Sequence, residues 1–277
     1  MISLASDNLL GTVFGVYLAR AKDEEIRKIK VASGGAVTAL LTYALEKGIV
    51  DGVVTAKRIK GLEGQAIVAH DKKELLEAAG NKWSIVPFAA RMKAKIEEEN
   101  LQRVALVCLP CQAQFFGQMR DFPLLETDFG ERIKYIISLF CMGTFAFEAF
   151  LNYLRMKYGI KAEQIKDIAL KKDFLEIIYD DTTLALPIEE VYSYLQAGCL
   201  VCTDYTGTWS DISAGFVESE PGWTVLIARN PRAEELIKNA EKEGYLELKE
   251  GSHVIGEVLK KAREKLARAQ QNMMYLL

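Results

Sequence analysis

A nearly apolar segment, YIISLFCMGTFAFEAFLNYL at positions 135–154, most constrains the fold of this chain. It is long enough to cross a membrane as one helix. Its internal pattern predicts something else, because a β-branched run ends near Cys141, Gly143 interrupts it, and a helical pattern carrying Glu148 and Asn152 follows. We therefore predict a buried strand, a turn and a helix of an α/β core.

The same order of strand, turn and helix recurs along the chain. A strand is predicted over 11–19, another over 50–56, and the strand VALVCLP precedes a helix that begins near Cys111. The segments DIALKK, LEIIYD and TTLALP predict a meander of short strands, and residues 254–271 predict a helix with a solvated charge pattern. This order predicts an α/β fold in which a mixed sheet is flanked by helices, with a helix at the C-terminus.

Composition narrows the class of protein. Half of the residues are hydrophobic and the formal net charge is -3, which is typical of a globular protein and lacks the basicity of a nucleic-acid-binding protein. The N-terminal sequence has no basic segment leading into an apolar core, so we expect no secretory signal and a cytoplasmic, reducing setting. In that setting metal binding, redox chemistry or burial explains five cysteines better than disulfides do.

The cysteines form two C-x-x-C pairs and one single residue. If VALVCLP is a strand, Cys108 lies within it and Cys111 lies just past its end, so the two thiols should point apart. The better set is Cys111, Cys141, Cys199 and Cys202, which combines two strand-end cysteines with a loop pair and is typical of a 4Fe-4S cluster. Structural zinc and unligated or redox-active thiols stay open as alternatives.

A glycine pair opens the first long helix. Ser33 precedes Gly34 and Gly35, and free backbone N–H groups at such a helix start suit an anion, of which a phosphate is one option. A plain turn with an N-cap is the alternative. The sequence contains neither G-x-G-x-x-G nor a P-loop motif, so it gives a standard nucleotide site no direct support.

The histidines and tryptophans bear on catalysis. His70 and His253 lie among charged residues, which predicts surface side chains rather than catalytic bases. Chemistry supplied by a cofactor therefore fits better than side-chain catalysis. Trp83, Trp209 and Trp223 lie in glycine-containing loops, where a planar ring could stack on them, although core packing is the usual role of tryptophan.

Several of these segments together resemble the beta subunit of coenzyme F420-reducing hydrogenase. They are SGGAVTALLTYALEKG, GNKW, LPCQAQ, LFCMG, QAGCLVCTDYTGTWSDISAG and PGWTVLI, in the order of that family. Related modules occur in F420-dependent formate dehydrogenases and F420H2 dehydrogenases. The resemblance runs from about Val16 to the C-terminal helix. It implies one domain over 1–277, with a core of about 12–250 and a helical tail over 254–277, built on a flavin-binding fold distinct from the Rossmann type.

The resemblance also implies the cofactors and the partners. It implies FAD and one 4Fe-4S cluster, hydride exchange between coenzyme F420 and FAD, and relay of single electrons to a partner hydrogenase or dehydrogenase subunit. Motif matching assigns four cluster ligands: Cys111, Cys141, Cys199 and Cys202. It also suggests the flavin contacts Ser33, Gly34, Gly35, Thr38, Gly80, Asn81, Lys82, Trp83, Gly215, Gly222, Trp223 and Thr224.

The chain departs from the family pattern at two places. Phe216 and Glu218 stand where hydrogenase members tend to have small residues, which bears on the flavin-proximal pocket and on the hydride donor. The two-cluster ferredoxin module of longer relatives, with its C-x-x-C-x-x-C-x-x-x-C run, is missing. We therefore expect one cluster in this chain and electron transfer to a separate subunit.

Overall fold

The computed structural model describes residues 8–28, 33–59, 63–80, 82–122, 127–171 and 174–274. Within these ranges the strands are β1 (Gly15–Ala21), β2 (Gly52–Arg58), β3 (Gly64–Ala69), β4 (Val104–Cys108), β5 (Ile133–Leu139), β6 (Ile165–Leu170), β7 (Phe174–Tyr179), β8 (Thr182–Pro187), β9 (Ile212–Gly215), β10 (Thr224–Ala228) and β11 (Leu246–Glu250). The helices are α1 (Glu24–Lys28), α2 (Ala36–Glu46), α3 (Lys72–Glu77), α4 (Phe88–Glu98), α5 (Pro110–Asp121), α6 (Thr127–Arg132), α7 (Phe147–Tyr158), α8 (Ile188–Tyr192), α9 (Ala197–Leu200), α10 (Pro231–Lys242) and α11 (Ile255–Met274).

Eight strands form a mixed sheet, which we call the main sheet, in the order β11-β1-β10-β9-β5-β4-β2-β3. The neighbours from β9 through β5 and β4 to β2 are parallel, and the pairs outside this central part are antiparallel. Cys108, the last residue of β4, pairs with Ser138 near the end of β5. Residues that follow β4 and β5 therefore leave the main sheet at the same edge.

Both faces of the main sheet are covered because successive strand residues point to opposite faces. Ala105 and Leu226 pack on one face with α2 and α10. Leu106 packs on the other face with α4 and α5, while Val225 packs on that face with α11. The result is a three-layer arrangement in which α11 lies beside α5 over the same face.

The second sheet is the meander that the sequence predicts. Strands β6, β7 and β8 are antiparallel and pack their buried side chains against α7 and α8. Leu175 and Ile177 of β7 are fully buried there, together with Phe150 and Leu154 of α7.

The apolar segment at 135–154 is split, as predicted, into a strand, a turn and a helix. β5 ends at Leu139, Gly143 adopts a φ of 145° in the turn, and α7 begins at Phe147. Among the described helices, none combines the length and the apolar character needed to cross a bilayer. The predicted mixed α/β sheet with flanking helices and a C-terminal helix is confirmed.

The first strand differs from its prediction. It begins at Gly15 rather than at residue 11. Gly11 has a φ of 65°, and a side chain there would lie 3.0 Å from Thr208 and 3.2 Å from Arg229. A left-handed residue in a close-packed turn cannot continue an extended strand, so the turn delays β1.

Candidate functional site

The first predicted cysteine ligand lies at the edge where β4 leaves the main sheet. Leu109 is extended and α5 begins at Pro110, so Cys111 lies in the first turn of α5. Cys111 is exposed, whereas Cys108 is 3% exposed and packs in the core. This C-x-x-C pair thus directs one thiol inward and the other outward, as the strand pattern predicts.

The other three cysteines lie in two neighbouring segments, residues 140–144 and 199–204, which we call the cysteine loops. The backbone N–H of Thr144 lies 3.5 Å from Sγ of Cys199. A Cβ atom at Gly143 would lie 3.5 Å from the Cβ of Cys199. The positive φ of Gly143 therefore lets the first loop pass close to the second.

Electrostatic coupling indicates that the four thiols are neighbours. Although Cys111 is exposed as a residue, its thiol is partly desolvated; this desolvation raises its pKa, and Cys202 and Cys199 raise it further. Burial also raises the pKa of Cys141 to about 11, while the Lys265 ammonium opposes the increase and Cys199 and Cys111 add to it. Ionising these thiols together is costly, so binding them as thiolates requires a positively charged group among them.

The arrangement of the thiols bears on the kind of metal group. Within the described ranges, no three His, Cys, Asp or Glu side chains converge closely enough to share one metal ion. The ligands of a four-iron cluster bind separate iron atoms and therefore surround a volume rather than a point. A cluster and a zinc ion are both groups that thiolates from these segments could hold.

Two of the predicted flavin segments meet at residues 33–35, which we call the glycine turn. Oγ of Ser33 and Oγ1 of Thr224 are 2.7 Å apart, and the N–H of Gly34 donates to the same Thr224 oxygen at 3.1 Å. A Cβ atom at Gly34 would lie 2.8 Å from the carbonyl oxygen of Gly222. Thus the structure joins the glycine turn to the segment before β10.

The glycine turn leads directly into α2. Gly35 has a φ of 72° and no side chain caps the helix start. Thr38 is half-buried in the first turn of α2. The first amide groups of α2 are therefore left without a side-chain cap, which is the condition for anion binding at a helix start.

Trp223 lies beside this turn but is not an open stacking platform. Its side chain is buried, the Arg20 guanidinium lies 4.5 Å from the ring centroid, and the Lys249 ammonium lies 4.0 Å from it. The ring also packs in an apolar cluster with Val225 and Val254. Any contact of Trp223 with a flavin therefore stays a prediction.

The GNKW segment is described in part, since Asn81 lies outside the described residues. Nζ of Lys82 donates to the carbonyl oxygens of Ala78 and, at 2.8 Å, of Gly80. Burial, together with a smaller contribution from the charge of Arg58, lowers the pKa of Lys82 to about 8. An anion beside Lys82 would therefore be favoured, because it would relieve the cost of a buried ammonium.

Contacts of the GNKW segment lie toward the cysteines. Trp83 stacks on Phe145 with ring centroids 5.8 Å apart, and its Nε1 donates to the carbonyl oxygen of Ile168 at 3.1 Å. Nε2 of Gln112 donates to the carbonyl oxygen of Val86 at 3.0 Å, which ties the following residues to the first turn of α5. These contacts place the segment against Phe145, β6 and α5, next to the cysteine loops.

Gly215 connects the two parts of the site. It pairs with Val225, which follows Thr224, and a Cβ atom at Gly215 would overlap the Phe140 ring. Phe140 precedes Cys141, so its ring lies on the backbone of β9 only because residue 215 has no side chain. The glycine turn and the cysteine loops are therefore linked through adjacent strands of the main sheet.

Family models match both halves of the chain. Residues 16–93 match the model described as the N-terminal part of the coenzyme F420 hydrogenase/dehydrogenase beta subunit, and residues 101–253 match the model of its C-terminal part. The chain belongs to this beta subunit family.

Individual relatives of this family support the assignment over nearly the whole chain. The coenzyme F420 hydrogenase subunit beta of Methanothermobacter thermautotrophicus is 30% identical over 269 residues, which cover 96% of this chain and 95% of that protein. The coenzyme F420-dependent sulfite reductase of Methanocaldococcus jannaschii is 31% identical over 247 residues, covering 85% of this chain and 38% of that protein. Beta subunit family sequences thus occur both as separate subunits and within longer chains.

A solved structure shows the same fold. A chain in the structure titled "Xenon derivatization of the F420-reducing [NiFe] hydrogenase complex from Methanosarcina barkeri" superposes with a TM-score of 0.87 at 27% identity. The superposition covers 98% of this chain and 94% of that chain. The non-Rossmann α/β fold expected for the beta subunit family is therefore confirmed.

Helix α11 carries a functional candidate, Lys265, that was not predicted from the sequence. Lys265 is 1% exposed although the helix was expected to carry solvated charges, and this expectation is wrong at that position. A signal was present, since Lys265 shares a helical stripe with Val258, Ala262 and Ala269, all buried. A lysine within an apolar stripe indicates a buried cation with a dedicated set of acceptors.

The two departures from the beta subunit family pattern lie at the surface. Phe216 is 45% exposed directly after Gly215. Glu218 is exposed and its backbone N–H donates to Glu257 of α11 at 2.6 Å. Both residues thus lie in the exposed segment that follows β9, where Glu218 contacts the C-terminal helix.

Proposed function

We propose that this protein is an FAD- and 4Fe-4S-containing redox subunit that exchanges a hydride between coenzyme F420 and FAD and passes single electrons to a partner hydrogenase or dehydrogenase subunit. Family membership supports the link to coenzyme F420. The observation that carries the proposal is the placement of the cysteines from three separate segments: the loop of Cys141 contacts Cys199 of the C-x-x-C pair, and Cys111 follows β4, the strand next to β5. The assignment to one domain over 1–277 and the cytoplasmic setting stay predictions.

Bound FAD would supply the change from two-electron to one-electron transfer, and a bound cluster would supply the single-electron step. The chain's own part on the cluster side is to hold four thiolates in place. Gln112 fixes the turn before α5 by accepting from the N–H of Leu109 at 2.9 Å and donating to Val86. Because Cys111 is the exposed member of the set, the edge of α5 is the side from which we expect electrons to leave.

On the flavin side the chain supplies close backbone approach and positive charge. The glycine turn and the start of α2 offer amide groups to the phosphates of FAD. Thr224 fixes the turn through its hydroxyl. An anionic neighbour would favour the ammonium form of Lys82, whose pKa is lowered by burial. We include the remaining predicted flavin contacts, Thr38, Gly80, Asn81, Gly215, Gly222 and Trp223, in this proposal.

Cofactor analysis of protein purified without oxygen tests the proposal. We expect a brown protein with about four irons and bound FAD. Cys199→Ser should lose the iron and the visible absorption of the cluster, whereas Cys108→Ala should keep both because Cys108 faces the core. A full 4Fe-4S signal in Cys199→Ser would contradict the ligand assignment. A colourless, flavin-free protein with bound zinc would favour the alternative of a zinc-stabilised binding module.

The hydride carrier is tested separately, since Phe216 and Glu218 depart from the family pattern. Rapid anaerobic mixing with reduced coenzyme F420 should bleach the flavin absorption. If the flavin responds to another donor and not to reduced coenzyme F420, the carrier assignment is wrong while the relay of flavin and cluster stands.

A further inference from the structure

The C-terminal helix α11 contacts the cysteine loops through polar side chains. Nζ of Lys265 donates to the carbonyl oxygen of Cys141 at 2.7 Å and to that of Asp204 at 2.5 Å. One ammonium group thus binds both cysteine loops at once.

Two further side chains of α11 continue this contact. Nη2 of Arg268 donates to the carbonyl oxygen of Met142 at 2.5 Å and to that of Cys199 at 3.2 Å. One turn later, Nδ2 of Asn272 donates to the carbonyl oxygen of Leu200 at 3.0 Å. Lys265 and Arg268 each bridge the two loops, so α11 fixes their separation.

The positive charges of Lys265 and Arg268 are not paired with carboxylates among the described residues. In the part of the chain that the structure describes, Lys265 and Arg268 bind carbonyl oxygens rather than carboxylates. Nε and Nη1 of Arg268 are buried and have no hydrogen-bond partner there, although the guanidinium lies 5.0 Å from the Tyr192 ring centroid. A buried ammonium and buried guanidinium nitrogens without a carboxylate partner are costly, which indicates that negative charge belongs beside them.

The cysteines can supply that negative charge. Lys265 and Arg268 bind the carbonyl oxygens of Cys141 and Cys199 themselves, which places both cations beside the predicted ligands. A cluster bound by four thiolates is an anion, and its reduction adds a further negative charge. Positive charge and hydrogen-bond donors near such a cluster favour the reduced form and raise the reduction potential.

We propose that Lys265 and Arg268 are positioning residues that dock α11 on the cysteine loops and raise the reduction potential of the cluster bound there. This inference rests on the proposed function only in its second half, because the docking contacts exist in the chain itself. The C-terminal helix is then a part of the electron-transfer site.

Paired substitutions on one helix test the effect of charge. Lys265→Met and Arg268→Gln remove the inner charges, and Lys260→Met and Arg263→Gln make the same chemical changes at exposed positions of α11. Redox titration followed by electron paramagnetic resonance measures the potential. For each inner variant we expect the ratio of reduced to oxidised cluster at a fixed potential to fall about tenfold, which is about 59 mV for a one-electron couple.

A charge-retaining variant separates charge from structure. Arg268→Lys should keep a potential near that of the wild type, because it keeps the positive charge. The inference is overturned if the inner and outer variants have equal potentials and equal iron contents, or if Arg268→Lys shifts the potential as far as Arg268→Gln. Arg268 is only half-buried, so this pair tests the charge even if Lys265→Met does not fold.

Amide hydrogen exchange in cluster-free protein tests the docking alone. Peptides that cover 139–146 and 197–206 should exchange faster in Arg268→Gln than in Arg263→Gln. Equal exchange would overturn the docking role. Wild-type protein that binds no iron under anaerobic conditions would instead reject the proposed function and the electrostatic half of this inference, while the exchange result would still decide the docking half.

Discussion

The cysteine loops and the glycine turn are held in place by different physical means. Charged side chains from α11 hold the cysteine loops by donating to backbone carbonyl oxygens. The glycine turn is held by the neutral hydroxyl of Thr224 and by backbone contacts that leave no room for a side chain at Gly34. Charged side chains therefore organise the cysteine loops, and close approach of backbone segments organises the glycine turn.

This difference predicts which substitutions each region tolerates. A change of volume should matter most at the glycine turn, where backbone atoms surround the residue. A change of charge should matter most at the cysteine loops. Gly198, directly before the second loop, has open space around it, because beyond its chain neighbours and the backbone of its own helix a Cβ atom there would meet no described atom within 4 Å.

The largest effect is expected from Gly34→Ala. Its Cβ atom would lie 2.8 Å from the carbonyl oxygens of both Ala19 and Gly222, and backbone atoms cannot turn away as a flexible side chain can. We expect the free energy of unfolding to fall by up to about 3 kcal/mol and the flavin content to fall with it. Urea unfolding and flavin analysis measure both effects.

Gly198→Ala is the matched control on the other side of the comparison. It adds the same methyl group next to Cys199, within α9, and should change the free energy of unfolding by less than about 0.5 kcal/mol. If Gly34→Ala is as stable as Gly198→Ala, the two regions do not differ in the way we infer.

A smaller effect is expected from Thr224→Val, which keeps the volume and removes the hydroxyl. The buried N–H of Gly34 and the hydroxyl of Ser33 would both lose their partner. We expect a loss of about 1 kcal/mol in the free energy of unfolding. Thr224→Ser keeps the hydroxyl and should stay close to the wild type. A larger loss in Thr224→Ser than in Thr224→Val would assign the role of Thr224 to its methyl group.

Much of the fold could be predicted because its strands are apolar and end at clear breaks. The segment at 135–154 was predicted correctly from Gly143 and the change of period around it. Strands β9 and β11 were not predicted, for two reasons. β9 is only four residues long within a loop-like sequence. β11 is a short edge strand, LELKE, in which only the alternation of Leu246 and Leu248 with charged residues indicates one buried face.

The positions of site residues could be predicted where they follow from the order of the strands along the chain. Cys111 and Cys141 follow parallel neighbouring strands, so their common edge follows from the topology. The role of Lys265 was not predictable, because its acceptors lie 61 and 124 residues away in sequence. Those contacts depend on how α11 is set against the main sheet, which no local pattern specifies.

The smallest effect on the free energy of unfolding is expected from substitution of Lys82. It tests whether the GNKW segment belongs with the glycine turn or with the cysteine loops. Lys82 was predicted as a flavin contact, yet its neighbour Trp83 and the following residues contact Phe145 and Gln112 on the cysteine side. Burial, with a smaller contribution from Arg58, lowers the pKa of Lys82 to about 8. The unfolded chain therefore binds more protons at this residue between about pH 8 and its ordinary pKa.

The sign of the pH dependence follows from this difference. In that range the contribution of Lys82 to the free energy of unfolding rises with pH, because deprotonation relieves the buried charge of the folded state. Lys82→Met should abolish this rise, whereas Lys73→Met, at an exposed position, should keep it. Urea unfolding at about pH 7 and about pH 9 measures the difference between the variants.

Flavin binding should show the opposite trend if Lys82 contacts a phosphate. An anion favours the ammonium form, so the flavin affinity of the wild type should fall as pH rises through about 8, and that of Lys82→Met should not. Fluorescence titration of flavin-free protein measures it. A pH-independent affinity in both proteins would separate Lys82 from the flavin. The GNKW segment would then belong with the cysteine loops, and the flavin site would be limited to the glycine turn, the start of α2 and the residues around Thr224.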